Sequence, residues 1–391
     1  MSDGQALLLV LGLLYLSECL IWLPRNSVAF VSPGGRLWRA VLASARYGNS
    51  QGALMFMNPL PPLSAVYLGH PLPVSFSPQH ACAYISQAWT PVGRPKQTGS
   101  VVRYEDMDSV NASGKNVEVN GRLFVKCPSS HMAGQVAGIL EKLASLPEPG
   151  RAEELKRILA KRFDSKGIRA AIEDCAERTR RLRALCNLLL VYLFLVAPLV
   201  AWRFGVTRAL IPAAAVMLLT AAAVSVLFHR SHKLLYPAAR EERITSLLKM
   251  VLCAPIAIRA VDLVSRERLS AFDPLAIASV LCQRPDFGKL ARRVICDLQH
   301  PIRIALPDED AAAAERWHRT ALEDTLTEFL RESGMDVSAL VKPPSPQDES
   351  CQSYCPRCEC QYAVPAGECR DCEGIRLMPF SNAAPASTNS K

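Results

Sequence analysis

Five cysteines lie between residues 354 and 374 of this 391-residue chain. Four of them form two Cys-x-x-Cys pairs, Cys355 with Cys358 and Cys369 with Cys372. Each pair places two sulfurs on one side of a tight turn, and two such turns close a tetrahedral four-sulfur site, the geometry that Zn²⁺ accepts. We therefore predict a structural zinc site with these four cysteines as its ligands.

Little apolar material accompanies the cysteine pairs. The apolar residues between and after the pairs include Tyr362, Val364, Pro365, Ile375, Leu377 and Phe380. Metal binding is therefore expected to supply most of the folding free energy of this segment, about 10–16 kcal/mol for a structural zinc site. Because four thiolates complete the tetrahedral coordination of the ion, this site has no open position for catalysis.

Three other interpretations of the cysteine cluster stay open. The four thiolates could hold iron, the pairs could be redox-active, or the cysteines could bind no metal. A redox pair needs a strand–helix setting, which the surrounding sequence does not show. Cys351 and Cys360 are spare thiols, and Cys360 is close enough in sequence to exchange with a ligand.

The segment 354–380 resembles the short zinc-ribbon family. The residues that carry the resemblance are Cys355-Pro-Arg-Cys358, Gln361-Tyr362, Gly367, Cys369-Arg-Asp-Cys372, Leu377 and Phe380. The resemblance implies that the four paired cysteines hold a structural zinc. One departure is visible, because the glycine that often follows each cysteine turn is Glu359 after the first and is displaced to Gly374 after the second.

Three apolar segments, 6–23, 184–202 and 209–228, predict transmembrane helices. A span needs ~20 mostly apolar residues to cross ~30 Å of hydrocarbon. The first segment is shorter and contains Glu18, and its leader MSDGQ lacks the basic residues of a signal peptide. We predict an uncleaved anchor there, with a cleaved signal or a buried soluble helix as alternatives.

Basic residues beside the apolar segments predict the topology. Arginines crowd the start of the second span, and His229, Arg230 and Lys233 follow the third. Because Lys and Arg accumulate on the cytoplasmic side, we place the N-terminus outside and residues 24–183 and 229–391 in the cytoplasm. The predicted location is the cytoplasmic (inner) membrane, and outside 354–380 the chain resembles a bacterial membrane protein. Cysteines on the reducing side stay free or bind metal.

The predicted cytoplasmic domain at 24–150 is rich in β-structure. Extended runs fill 100–127, and Asn120-Gly121 between two of them is a strong hairpin signal. Ser129 or Ser130 then caps an amphipathic helix. This strand–helix order resembles the end of a pleckstrin-homology-type barrel.

The remaining boundaries follow from composition. We predict a charged juxtamembrane helix at 151–183, a cytoplasmic helical domain at 229–341 and a proline-rich linker at 342–350. The zinc ribbon occupies 351–380, and a disordered tail follows at 381–391. The predicted fold class is thus an α+β integral membrane protein with three transmembrane helices and a C-terminal zinc ribbon.

The sequence favours a non-enzymatic function. It contains no Walker loop, Rossmann fingerprint, nucleophile elbow or zincin helix. The second and third spans carry no Asp, Glu, Lys, Arg or His, which disfavours transport. Four basic residues balance four acidic ones in 351–391, which disfavours nucleic acid as a partner. We predict a membrane-anchored adaptor or sensor that presents the ribbon to a protein partner; the alternative is a membrane-bound enzyme with its site in 24–150.

Overall fold

The computed structural model describes residues 3–22, 28–33, 41–43, 55–57, 64–85, 98–301, 308–372 and 374–380. The predicted tail at 381–391 and the larger part of 24–63 lie outside the described residues. The described residues combine α-helices with small antiparallel sheets, which confirms the mixed α and β class.

The strands are short and lie mainly in the first third of the chain. They are β1 Leu20–Trp22, β2 Val28–Pro33, β3 Val41–Ala43, β4 Met55–Met57, β5 Ser64–Gly69, β6 Val74–Phe76, β7 His80–Ile85, β8 Thr98–Arg103, β9 Val110–Ser113, β10 Asn116–Val119, β11 Arg122–Lys126, β12 Ser353–Tyr354, β13 Gln361–Tyr362 and β14 Met378–Pro379. Their orders in the sheets are β1-β4, β3-β2-β5, β6-β7-β8, β9-β10-β11 and β13-β12-β14.

The α-helices of the described residues, apart from the first, lie from residue 130 onward. They are α1 Asp3–Cys19, α2 Ser130–Ala144, α3 Glu148–Arg162, α4 Ser165–Arg178, α5 Arg180–Val191, α6 Ala197–Phe204, α7 Val206–Leu235, α8 Arg240–Leu252, α9 Ala260–Ser265, α10 Pro274–Leu281, α11 Arg284–Gln299, α12 Glu309–Glu332 and α13 Val337–Leu340. A π-helical turn, Tyr192–Val196, joins α5 to α6.

The predicted hairpin at Asn120-Gly121 is confirmed. β10 and β11 pair in antiparallel fashion, and Asn120 and Gly121 take φ values of 51° and 72°. The side-chain oxygen of Asn120 accepts a hydrogen bond from the backbone N–H of Asp108 at 2.9 Å. Asparagine and glycine tolerate positive φ better than other residues, so the local chemistry accounts for the turn.

The amphipathic helix after this hairpin is also confirmed. The Ser129 hydroxyl accepts a hydrogen bond from the backbone N–H of Met132 at 3.2 Å and so caps α2. Met132, Val136 and Leu140 are buried against the strands, where Phe76 and Phe124 complete the core. Trp317 of the distant helix α12 packs against the same core.

A second core joins helices to two early strands. Phe30 of β2 and Tyr67 of β5 are fully buried in one cluster with Val261 of α9 and Ile277 of α10. Leu68 donates its backbone N–H to the carbonyl oxygen of Arg266 at 2.9 Å, just after α9. The early strands and the late helices therefore share an interior.

Within the described residues, two helical stretches are long and apolar enough to cross a membrane by length and composition, Arg180–Phe204 and Ile211–Leu235. Arg180–Phe204 contains the second predicted span, and Ile211–Leu235 covers the third except for its first two residues. The Tyr192 hydroxyl of one donates a hydrogen bond to the carbonyl oxygen of Ala213 on the other at 3.0 Å. Only 11% and 17% of the residues in their apolar windows are buried.

The first apolar segment differs from its predicted bounds. α1 ends at Cys19, and Leu20–Trp22 form β1, which pairs with β4. The apolar part of this helix, Leu8–Cys19, is shorter than the two candidate spans, so a third span stays a prediction. Glu18, the acid in this segment, is buried and lies 3.5 Å from the guanidinium of Arg259.

Helix α8 turns back along α7. The Ser225 hydroxyl of α7 contacts the Met250 sulfur of α8 at 3.8 Å. Ile244, Leu248 and Leu252 lie four residues apart on α8 and are each more than half exposed. A spacing of four residues places them on one face, so α8 presents an exposed apolar stripe beside the candidate spans.

Candidate metal centre

The structure brings the four paired cysteines together. The sulfur atoms of Cys355, Cys358, Cys369 and Cys372 all lie within 4.8 Å of one another. The Sγ atoms of Cys358 and Cys369 are 3.5 Å apart. A tetrahedral ion with metal–sulfur bonds of about 2.3 Å has sulfur–sulfur edges of about 3.8 Å, whereas a disulfide bond measures about 2.05 Å. The four sulfurs therefore fit one metal ion.

All fourteen cysteines lie in the part of the chain that the structure describes, and each is a free thiol. The ten cysteines outside the four-sulfur group include Cys360, whose Sγ lies 3.5 Å from a carboxylate oxygen of Asp371. Cys358, Cys360 and Asp371 form a second, overlapping group of three potential ligands. Cys360 therefore lies within 4.8 Å of the Cys358 sulfur, and its exchange with a ligand stays a prediction.

The first cysteine turn closes through its backbone. The N–H of Glu359 donates to the carbonyl oxygen of Cys355 at 2.9 Å, and the N–H of Cys355 donates to Cys360 at 2.9 Å. Glu359 takes a φ of 63°. A residue with a Cβ atom costs about 1–2 kcal/mol in this left-handed conformation. The missing glycine therefore weakens the turn but does not abolish it.

The second turn uses its displaced glycine in the same way. Gly374 has a φ of 72°, and the next residue, Ile375, donates its N–H to the carbonyl oxygen of Cys372 at 3.2 Å. The N–H of Cys369 in turn donates to the carbonyl oxygen of Ile375 at 2.9 Å. Both turns thus contain a left-handed residue after the second cysteine, at the two positions that the sequence marked as departures.

Apolar packing around the sulfurs is limited, as the composition predicted. The buried cluster consists of Cys355, Cys369, Cys372, Ile375 and Leu377. Beside it, β12 pairs with β13 and β14, two residues each. The module of residues 351–380, which we call the ribbon, is therefore organised around its cysteines.

Two of the four thiols, Cys355 and Cys372, have raised pKa values and need a metal to ionise near neutral pH. Burial raises the pKa of Cys372 to about 12. A hydrogen bond with Cys358, together with burial, raises the pKa of Cys355. A metal ion would bind by displacing these protons. The Tyr362 hydroxyl lies 3.2 Å from Cys369 Sγ, where it can donate to a thiolate.

The ribbon is docked on helix α11 through its first cysteine turn. Arg357, which lies between Cys355 and Cys358, is buried, and its Nε is 2.9 Å from a carboxylate oxygen of Asp297. An Nη1 hydrogen of Arg357 is donated to the carbonyl oxygen of His300 at 3.1 Å. Sequence analysis missed this contact because nothing in the pattern distinguishes Arg357 from other arginines.

A second pair of contacts involves Arg292 of α11. Its guanidinium is paired with the carboxylate of Glu359 and donates to the carbonyl oxygen of Lys342 at 2.8 Å. In the predicted linker, the backbone N–H of Gln347 donates to the side chain of Gln361 in the ribbon at 2.8 Å. Helix α11 therefore contacts both the predicted linker and the ribbon, and the linker also contacts the ribbon.

No family model matches the chain, and no curated protein or solved structure among those compared with it matches either. The resemblance to zinc ribbons therefore depends on the residues of 354–380 themselves. The geometry of the four sulfurs is what supports a metal at this position.

Proposed function

We propose that this protein is a membrane-anchored adaptor or sensor whose C-terminal zinc ribbon binds a protein partner. In this proposal zinc is structural, since four thiolates complete its coordination. The metal fixes the ribbon, and the ribbon offers a recognition loop to the partner.

One observation carries the proposal, the exposed loop between the two cysteine turns. All six residues of 363–368 are exposed, and the first four are Ala363, Val364, Pro365 and Ala366. The side chain of Val364 is 49% exposed. Apolar side chains held in water by a rigid scaffold are typical of a recognition surface, because binding sites are commonly loops placed on a fixed frame.

The membrane part of the proposal is supported by the two long apolar helices. Trp202 is 84% exposed and Ile211 is 78% exposed, which would be unfavourable in water. The basic residues at 180–183 and 229–233 favour a cytoplasmic position for the flanking regions, including the ribbon. Thiols stay reduced on the cytoplasmic side, so the four cysteines would remain able to bind zinc there.

The recognition loop can be tested apart from the metal. We expect Val364→Asp to retain one zinc per chain, measured on detergent-purified protein, while losing the partner recovered by cross-linking from the native membrane. A carboxylate in the loop disfavours apolar contact, but it lies outside the four-sulfur group.

Val341→Asp is the matched control, because Val341 is 38% exposed and lies before the ribbon. This variant should retain both zinc and partner. Recovery of the same partner with undiminished yield from Val364→Asp would overturn the proposed role of the loop.

A further inference from the structure

A polar cavity of about 390 Å³ lies outside the ribbon, between α2, α7, α8 and the residues that follow α9. Its walls include Ser130 and His131 at the start of α2, His232 near the end of α7, and Arg266 and Glu267 after α9. We call it the α2–α8 cavity. Its volume falls within the range of small-molecule sites, about 300–1,000 Å³.

Helix α8 lines the cavity with a polar face. Glu242, Ser246 and Lys249 are spaced at i, i+4 and i+7, and all three border the cavity. The exposed apolar stripe of α8, with Leu248 and Leu252, consists of other positions. The polar residues of α8 thus border the cavity, while Leu247 and Met250 of the same helix pack into the helical core.

An ordered aromatic wall closes one side. The rings of His131 and Tyr236 lie 5.4 Å apart, and those of His232 and Tyr236 lie 5.0 Å apart. The Tyr236 hydroxyl donates a hydrogen bond to the carbonyl oxygen of Val264 at 2.8 Å, which fixes the ring between the two histidines. The cavity therefore has at least one rigid wall.

Several polar atoms in the walls have no hydrogen-bond partner among the described residues. They are Ser130 Oγ, His232 Nδ1, Arg266 Nε and Glu267 Oε2. His232 is only 5% exposed. A buried polar atom without a partner costs about 1–3 kcal/mol, so native proteins pair such atoms with protein, water or ligand. Four of them around one cavity indicate a polar occupant.

The charges around the cavity are balanced. Three basic residues and three acidic residues line it, namely Lys115, Lys249, Arg266, Glu241, Glu242 and Glu267. The carboxylate of Glu242 already accepts the backbone N–H of Ser130 at 3.0 Å, at the N-terminus of α2. A protein carboxylate therefore occupies the position where a simple anion would bind best. A ligand with one charge of each sign suits this lining better than phosphate does.

Glu267 is held deep in the wall. Its carboxylate lies 3.8 Å from the imidazole of His70, which is fully buried. Burial lowers the pKa of His70 to about 3 and raises the pKa of Glu267. His70 is therefore neutral at pH 7, and the positive charges that act on the Glu267 carboxylate are those of Arg266 and Lys115, which also line the cavity. An ammonium group could donate to Glu267 Oε2, which has no hydrogen-bond partner among the described residues.

We propose that the α2–α8 cavity binds a small zwitterion with one ammonium group and one carboxylate, the chemistry of a free α-amino acid. Glu267 accepts hydrogen bonds from the ammonium group, while Arg266 and Ser130 donate to the carboxylate. This inference goes beyond the proposed function, because it concerns a site formed without any residue of the ribbon.

The test is calorimetry on the full-length protein in detergent at pH 7.5, with each common α-amino acid in turn and with O-phosphoethanolamine. We expect at least one amino acid to bind saturably at one per chain. Arg266→Gln and Glu267→Gln should each weaken this binding at least about tenfold, since each removes a charge-assisted hydrogen bond.

Arg331→Gln and Glu332→Gln are matched controls at the exposed end of α12, and they should leave the affinity unchanged. If a cavity variant does not fold, Ser130→Ala provides the same test, because its hydroxyl has no protein partner. The proposal is overturned if no amino acid binds, if phosphoethanolamine binds and the amino acids do not, or if folded cavity variants bind as tightly as the controls.

Discussion

The ribbon (residues 351–380) and the strand–helix unit of β6–β11 with α2 (residues 74–144) differ in what fills their interiors. Three of the five residues in the buried cluster of the ribbon are cysteines. The interior of the strand–helix unit is made mainly of large apolar side chains, including Phe76, Phe124, Leu140 and Leu143. The first region has too little apolar material to fold on burial alone, whereas the second has enough.

This difference separates two kinds of sequence signal. A metal-binding module can be recognised in a sequence by the types and the spacing of its ligands, because coordination geometry restricts both. A core formed by burial appears only as periodicity, which many arrangements can satisfy. Changes that remove metal ligands should therefore affect only the ribbon, and cavities in the apolar core should affect only the strand–helix unit.

The largest effect is expected for Cys369→Ser. Loss of one thiolate from a four-sulfur site should remove most of the metal-derived stability of the ribbon, about 10 kcal/mol or more. Zinc analysis should then find less than one ion per chain, and limited proteolysis should cut within 351–380 while 74–85 and 98–144 stay resistant.

Cys351→Ser is the control for that variant, because Cys351 lies outside the four-sulfur group. It should retain zinc and protease resistance. A Cys369→Ser protein with a full equivalent of zinc and an intact ribbon would contradict the assignment of Cys369 as a ligand.

Leu140→Ala should produce the next largest effect, and in the other region. Leu140 is fully buried, so the substitution should reduce the free energy of unfolding by about 2–5 kcal/mol through lost burial and a new cavity. Denaturant melts followed by tryptophan fluorescence should report the loss, since Trp317 packs on this core.

The adjacent variant Ile139→Ala should cost less, because Ile139 is only partly buried. Zinc content should be unchanged in both variants. A loss of zinc from Leu140→Ala would show that the two regions depend on each other and would remove the contrast between them.

Arg357→Gln should have the smallest effect, at the contact between the ribbon and α11. It leaves the largely buried carboxylate of Asp297 with Arg293 at 3.4 Å as its remaining partner. We expect a cost of about 1–3 kcal/mol, retention of zinc, and faster hydrogen exchange at the ends of α11 and in the linker.

Arg370→Gln supplies the matched comparison, because Arg370 occupies the second cysteine turn and is exposed. It should leave hydrogen exchange unchanged. Equal exchange rates in Arg357→Gln and Arg370→Gln would show that the buried ion pair does not hold the ribbon in place.

The features predicted correctly from sequence depend on neighbours in the chain. The hairpin follows from the tolerance of Asn120 and Gly121 for positive φ, and α2 follows from its Ser129 cap and the spacing of Met132, Val136 and Leu140. The cysteine pairs belong to the same class, because two residues between ligands restrict a turn to few conformations. The departures at Glu359 and Gly374 were visible in sequence, but their shared left-handed conformation was not.

Contacts between residues that are distant in the chain could not be predicted from the local sequence. Glu18 made the first apolar segment doubtful as a span, and its partner Arg259 is more than two hundred residues away. The end of α1 at Cys19 likewise accompanies the pairing of β1 with β4 rather than any break in apolar composition. Residue patterns describe one segment at a time and so cannot specify such pairings.

The sequence by itself determined the four candidate metal ligands, the long apolar helices and the hairpin with its helix, because the signal for each lies in residue types and spacing within one short segment of the chain. Only the tertiary structure decided that Arg357 meets Asp297, that Trp317 joins the core of the strand–helix unit, and that polar residues of α2, α7 and α8 surround one cavity. The physical reason is that burial and pairing depend on how segments pack in space, and sequence periodicity indicates which face is buried but not what lies against it.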